Sequence, residues 1–293
     1  MSRHLAPDVV AAPAAPAAPP VEPAHAVDEA GGTVAAHAGL SGVDTSMFDA
    51  QRGRATAIIA RYPEPRSALL PLLHLAQYVE GHVGRAGIAF CAEILGITTA
   101  EVSAVATFYT MYKREPVGEH LVSVCTNTLC AAVGGDDIFR AVGERLGESG
   151  APLGHDRTVG DPSESGSLTL EHAECLAACD LAPVLTVDYE FYDRQTVDSA
   201  VELVDALRRG EKPHPTRGAP LTSFRGVALL LAGFFDDPEA GGIEAVAGPS
   251  ADEATLRGAR LAEERGWTPP PMPEDRRTDA APAPAPDHQE GTS

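Results

Sequence analysis

Read for the spacing of its apolar positions, the chain falls into a stretch of helical period, a stretch where strand and helix periods alternate, and two ends without any period. The helical stretch covers residues 45–116. "SMFDAQRGRATAIIARY" carries apolar residues at helical spacing and stops before the prolines of "PEPR"; "SALLPLLHLAQYVEGHVG" follows and ends among glycines. A third short helix is predicted over "RAGIAFCAEILG", ending at Gly96. Thr98 and Glu101 then stand three apart as in a capping box and open a fourth helix through "AEVSAVATFYTMY". Short helices with short connections must bury their apolar stripes against one another, which predicts a small bundle.

At Pro116 the pattern changes. "HLVSVC" (120–125) reads as a strand, "DDIFRAVGERLG" (136–147) as a helix, "SLTLEHAEC" (167–175) as a strand and "PVLTVDYEFY" as a strand pair. "TVDSAVELVDALRRG" closes this part as a helix, with Thr196 as its N-cap and Gly210 as its stop. Residues 117–212 are thus expected to form a small α/β domain, a sheet flanked by helices, after the bundle.

Composition accounts for the ends. Residues 1–44 are dominated by Ala, Pro and Gly, and those from about 236 onward combine Pro, Ala and acidic groups. Such segments bury too little apolar surface to offset the entropy of ordering, so both are expected to be disordered tails. Residues 213–293 form a C-terminal extension, largely disordered, with two exceptions. "ADEATLRGARLAEERG" can form a short exposed helix, and the apolar "RGVALLLAGFF" at 225–235 is expected to dock, on the bundle or on a partner.

The hydrophobic content of 44% over 293 residues supports one or two packed domains that need no cysteine staples. A formal net charge of −20 argues against nucleic acid or anionic lipid and favours a protein partner. The N-terminus lacks a basic start followed by a continuous apolar core, so no export signal is read, and "VALLLAGFF" is far short of the ~18–20 residues of a membrane helix. The expected setting is cytoplasmic, without direct membrane insertion, where clustered cysteines bind metal or carry redox chemistry more often than they form disulfides.

The chain has five cysteines. "VCTNTLC" holds Cys125 and Cys130 with four residues between them, and "ECLAACDLAPVLTV" holds Cys175 and Cys179 with three between them; both pairs fall where a predicted strand gives way to a loop. Loops at the carboxyl ends of parallel strands lie side by side, so the pairs can converge, and four thiolates at one point call for a metal. Four-cysteine zinc sites favour pairs with two intervening residues, whereas four-residue gaps occur in 2Fe-2S ferredoxins. The spacing favours a 2Fe-2S cluster, with a structural zinc and two disulfides as the alternatives. The small or polar neighbours Thr126, Asn127, Ala131, Ala177 and Ala178 leave room for backbone N–H groups to approach cluster sulfurs. Cys91, in the apolar "AFCAEIL", reads as a core residue; His74 and His82, eight apart, read as packing or surface residues; and the aromatics of 107–116 read as core and inter-domain packing, with contact to a partner subunit as the alternative.

"YPEPRSALLPLLHLAQ", "ATFYTMYKREPVGEHLVSVCTNTLC" and "ECLAACDLAPVLTV" together resemble the peripheral 2Fe-2S subunit of bacterial NADH:quinone oxidoreductase, respiratory complex I, over about residues 46–212. The resemblance implies a helical bundle followed by a thioredoxin-like 2Fe-2S ferredoxin domain, with Cys125, Cys130, Cys175 and Cys179 as cluster ligands. Gly134 and Pro183 match the family's glycine after the second ligand and its Ala-Pro approach to the next strand. It further implies an electron-transfer subunit that is part of an enzyme without itself holding a complete active site. Its one 2Fe-2S cluster would take single electrons from the FMN of a flavin-containing, NADH-binding partner, among other peripheral-arm subunits, on the inner face of the cell membrane. No Gly-x-Gly-x-x-Gly fingerprint follows a strand here, in keeping with NADH and FMN residing on the partner.

The similar subunit of an NAD-linked hydrogenase or formate dehydrogenase, and a zinc-clipped non-redox binding module, are the alternative functions; the spacing suits a thioredoxin-like thiol oxidoreductase poorly. The chain departs from the family at Ala177, commonly Gly, and at Asp180, commonly uncharged. Its segment "APLGHDRTVGDPSESGS" is longer than usual and is expected to be an exposed loop.

Overall fold

The computed structural model of the chain describes residues 42–147, 151–241 and 253–267. The expected disorder of 1–44 falls outside these ranges except for residues 42–44. Of the extension 213–293, read as largely disordered, residues 213–241 and 253–267 are described, and 213–241 is packed: Arg217 pairs with Asp193 and Ala240 lies in the bundle core.

Four helices build the bundle: α1 (Arg52–Ile59), α2 (Leu69–Glu80), α3 (Arg85–Leu95) and α4 (Thr99–Phe108). Gly81 and Gly96 take left-handed conformations that end α2 and α3, and Thr98 with Glu101 forms the capping box, Thr98 Oγ1 accepting from the Glu101 amide at 3.0 Å. Phe48 stacks on Phe90 in a core shared with Leu72, Leu73 and Val102.

Helix α4 ends at Phe108, short of the predicted Tyr112. The buried Gln77 side chain explains this, donating to the Met111 carbonyl at 3.1 Å and accepting from the Lys113 amide at 2.8 Å. Tertiary hydrogen bonds draw residues 109–113 out of the helix and across toward the sheet.

The sheet runs β2-β3-β1-β4-β5, from β1 (His120–Cys125), β2 (Arg157–Val159), β3 (Leu168–Ala173), β4 (Leu185–Val187) and β5 (Glu190–Tyr192). Strands β1 and β3 are parallel and the other pairs antiparallel. The sequence missed β2, which lies inside the segment read as an exposed loop. Only Val159 of its three residues is buried, so no period marks it, and its partner is an already formed edge.

Val122, Val124, Leu168, Leu170, Leu185 and Val187 face a core closed by α6 (Gly135–Leu146) and α7 (Val197–Arg208). The opposite face carries Ser123, Thr169, Glu171 and Thr186 beside Leu121 and is overlain by residues 109–117. Thr196 caps α7, and Asp188 and Tyr189, both left-handed, make the two-residue turn between β4 and β5.

Helix α8 (Phe224–Leu231) covers most of the apolar segment 225–235 and lies along α2, with Leu229 and Ala232 inside the bundle core. Of the two docking seats considered for this segment, the bundle is the one seen. Arg54 pairs with Asp237, and Arg61 donates to the Ala232 carbonyl while lying over Phe234. The predicted short C-terminal helix is present over Glu253–Glu264.

Candidate metal centre

Strands β1 and β3 end level, Cys125 opposite Ala173, so the loops that follow them start side by side. The first loop turns through Thr126 and Asn127 into α5 (Thr128–Ala132), a one-turn helix that carries Cys130. The second holds Cys175 and reaches Cys179 at the start of a 3-10 turn over Cys179–Leu181. The loops are cross-tied: the Thr126 amide donates to the Ala173 carbonyl at 3.1 Å, and Asn127 Nδ2 donates to Glu174 Oε2 at 2.9 Å.

Cys125 and Cys130 are buried in one cluster with Ala178, Leu181 and Val184, whereas Cys175 and Cys179 are exposed with their Sγ atoms 3.6 Å apart. The two pairs feel one another. Burial pushes the Cys130 thiol up to about 11, helped by Cys125 and Cys179 and opposed by a hydrogen bond from the Val184 backbone. Cys179 is raised first by its hydrogen bond with Cys175, with further contributions from Cys125 and Asp180. The Cys130 and Cys179 thiols therefore resist ionisation until a cation compensates them.

Among the described residues no three His, Cys, Asp or Glu side chains converge as a site for a single ion. What the fold offers is two cysteine pairs at adjoining loops, and a 2Fe-2S cluster takes two thiolates on each of its irons. The local packing suits such a group. A Cβ on Gly135 would lie 2.5 Å from the Cys125 carbonyl oxygen and 2.9 Å from Cys130 backbone atoms, so glycine alone lets α6 start against both cysteine backbones. Gly134, with φ 110°, supplies the turn before it. Sequence reasoning picked out Gly134 and missed Gly135, although the doubled glycine was the available signal.

Ala177 takes φ 58°, a left-handed position that favours glycine, so the alanine there carries backbone strain as well as its extra methyl. Asp180 is exposed, next to Cys179. The other candidates lie apart: Cys91 is fully buried in the bundle, His74 packs at 4.9 Å from the Tyr112 ring with its Nδ1 unpartnered, and His82 Nδ1 sits 3.2 Å from the Glu80 carbonyl.

The family profile for thioredoxin-like 2Fe-2S ferredoxins matches residues 55–208. The E subunit of NADH-quinone oxidoreductase from Mycobacterium bovis is 53% identical over 220 residues, covering 75% of this chain and 81% of that protein. An E subunit of NADH-quinone oxidoreductase from Rhizobium meliloti is 31% identical over 156 residues, 53% of this chain and 88% of that one. A crystal structure of an NAD+-reducing NiFe hydrogenase in the air-oxidised state matches with a TM-score of 0.41 and 15% identity, covering 48% of this chain and 23% of that one.

Proposed function

Because the chain belongs to the thioredoxin-like 2Fe-2S ferredoxin family, we propose that Cys125, Cys130, Cys175 and Cys179 hold one 2Fe-2S cluster and that the chain is an electron-transfer subunit of NADH:quinone oxidoreductase. The observation that carries this reading is the two cysteine pairs on cross-tied loops at the level ends of β1 and β3. When bound, such a cluster supplies one-electron chemistry that flavins can feed and that hydride carriers cannot.

The chain's own residues supply the setting. Cys125 and Cys130, seated among Ala178, Leu181 and Val184, exclude water from the inner side. Cys175 and Cys179 open the outer side to a docked donor, and Leu129 and Val133 present apolar surface beside Cys130. The donor in this reading is the FMN of an NADH-oxidising partner, with other peripheral-arm subunits alongside. Among the described residues no helix is long and apolar enough to cross a membrane, and the complex would hold the chain against the inner, cytoplasmic face.

The test is reduction by NADH. Co-purified with its flavoprotein partner, the chain should give the EPR signal of a reduced 2Fe-2S centre on adding NADH, and alone it should give none. A cluster that dithionite reduces but that NADH leaves oxidised in the intact complex would contradict the assigned place in electron transfer.

A further inference from the structure

One ion pair stands out beneath the cysteine site. Lys113 Nζ contacts Glu171 Oε2, both side chains almost out of solvent, and the other carboxylate oxygen accepts from Ser123 Oγ at 2.7 Å. Lys113 is anchored through its backbone, its amide held by Gln77 and its carbonyl accepting from Val83 at 2.7 Å, so its side chain reaches from the bundle strap to the sheet.

Residues two apart on a strand share a face, so Ser123 and Glu171, which are paired in register, lie one two-residue step, about 7 Å, below Cys125 and Ala173. Lys113, Ser123, Glu171 and Cys175 line one cleft of about 620 Å³. The buried Thr186 hydroxyl lines the same cleft without a hydrogen-bond partner.

Stability alone is a weak reason for such a largely covered pair, because ion pairs taken out of solvent can often be replaced by apolar packing without loss. Its place gives it another consequence. Taking up one electron adds one negative charge at the cysteine site, and fixed charges held largely out of solvent act on that step with less screening by salt than exposed ones.

Resting on the 2Fe-2S reading above, we propose that Lys113 and Glu171 are positioning residues that set the reduction potential of the centre by opposed charges, Lys113 favouring the reduced form and Glu171 the oxidised one. Together they hold the potential near the value the cysteine shell alone would give. Unbalancing the pair in either direction moves it.

The experiment is an EPR-monitored redox titration of the full chain, with iron and acid-labile sulfide measured on each sample. Lys113→Met should shift the midpoint to more negative values and Glu171→Gln to more positive ones. The double variant should return toward wild type, and Lys113→Arg should stay close to it. These shifts should fall less with added salt than the shift from changing the exposed Asp180. If Lys113→Met fails to fold, the near-isosteric Glu171→Gln and the double variant carry the test. Intact clusters whose midpoints do not move, or single-variant shifts of the same sign, would overturn the assignment to Lys113 and Glu171. Wild-type protein lacking labile sulfide would instead remove the 2Fe-2S reading on which it rests.

Discussion

Replacing Gly135 with alanine perturbs the cysteine site without touching a sulfur. Its new Cβ would stand 2.5 Å from the Cys125 carbonyl oxygen, about 0.9 Å inside the 3.4 Å at which ordinary contact begins. The Cys130 carbonyl group is also too close, at 2.9 Å. These obstacles are backbone atoms and cannot rotate aside, so α6 or both cysteine backbones must move by most of that deficit. Overpacking of this kind costs about 1–3 kcal/mol. For a domain of roughly 100 residues, 1 kcal/mol lowers Tm by about 4–8 °C.

The neighbouring Gly134 is the control. A Cβ there meets nothing within 4 Å, but φ 110° penalises any side chain, so Gly134→Ala should destabilise through the dihedral alone. Thermal unfolding by circular dichroism, with iron and sulfide per chain measured in parallel, separates the two. Gly134→Ala should lose Tm and keep its loading, whereas Gly135→Ala should lose loading beyond its loss of Tm. A fully loaded Gly135→Ala protein with wild-type Tm would refute the claim that close backbone approach shapes the site.

Three further outcomes are expected. Burial holds His74 down to about 4 from an ordinary 6.5, so the unfolded chain takes up a proton that the folded one refuses. Stability should be whole above pH 6.5 and fall as the pH drops toward 4, by up to about 3 kcal/mol, and His74→Phe should flatten that dependence in urea titrations across pH. Leu229→Ala, which hollows the contact of α8 with the bundle, should cost about 2–5 kcal/mol in urea unfolding and leave the redox midpoint unchanged. Asp180→Gly should shift the midpoint to more positive values in voltammetry; because Asp180 is exposed, the shift should shrink as salt is added.

Local signals carried much of the fold. The Thr98–Glu101 capping box, the buried strand "HLVSVC" and the Thr196 cap are written in contiguous residues, and their elements are found where the spacing put them. The features that stayed hidden depend on partners distant along the chain. Strand β2 has too few residues to show a period, α5 is a single turn, and α4 stops early because Gln77, more than thirty positions upstream, captures the strap.

The cysteine site shows the same division. Spacing and strand ends were enough to suggest that the two pairs meet. Gly135, the Val184 backbone and the Lys113–Glu171 pair, whose members are 58 positions apart, come into view only once parallel β1 and β3 bring the loops level.

The central claim is the metal itself, and it is tested most directly by iron, zinc and acid-labile sulfide on anaerobically purified protein, followed by low-temperature EPR after dithionite reduction. About two irons and two sulfides per chain with a rhombic spin-half signal, lost when Cys125 or Cys175 is changed to serine, is the predicted result. Stoichiometric zinc without labile sulfide, unchanged by reconstitution with iron and sulfide, would contradict it and leave Cys125, Cys130, Cys175 and Cys179 as a structural clip.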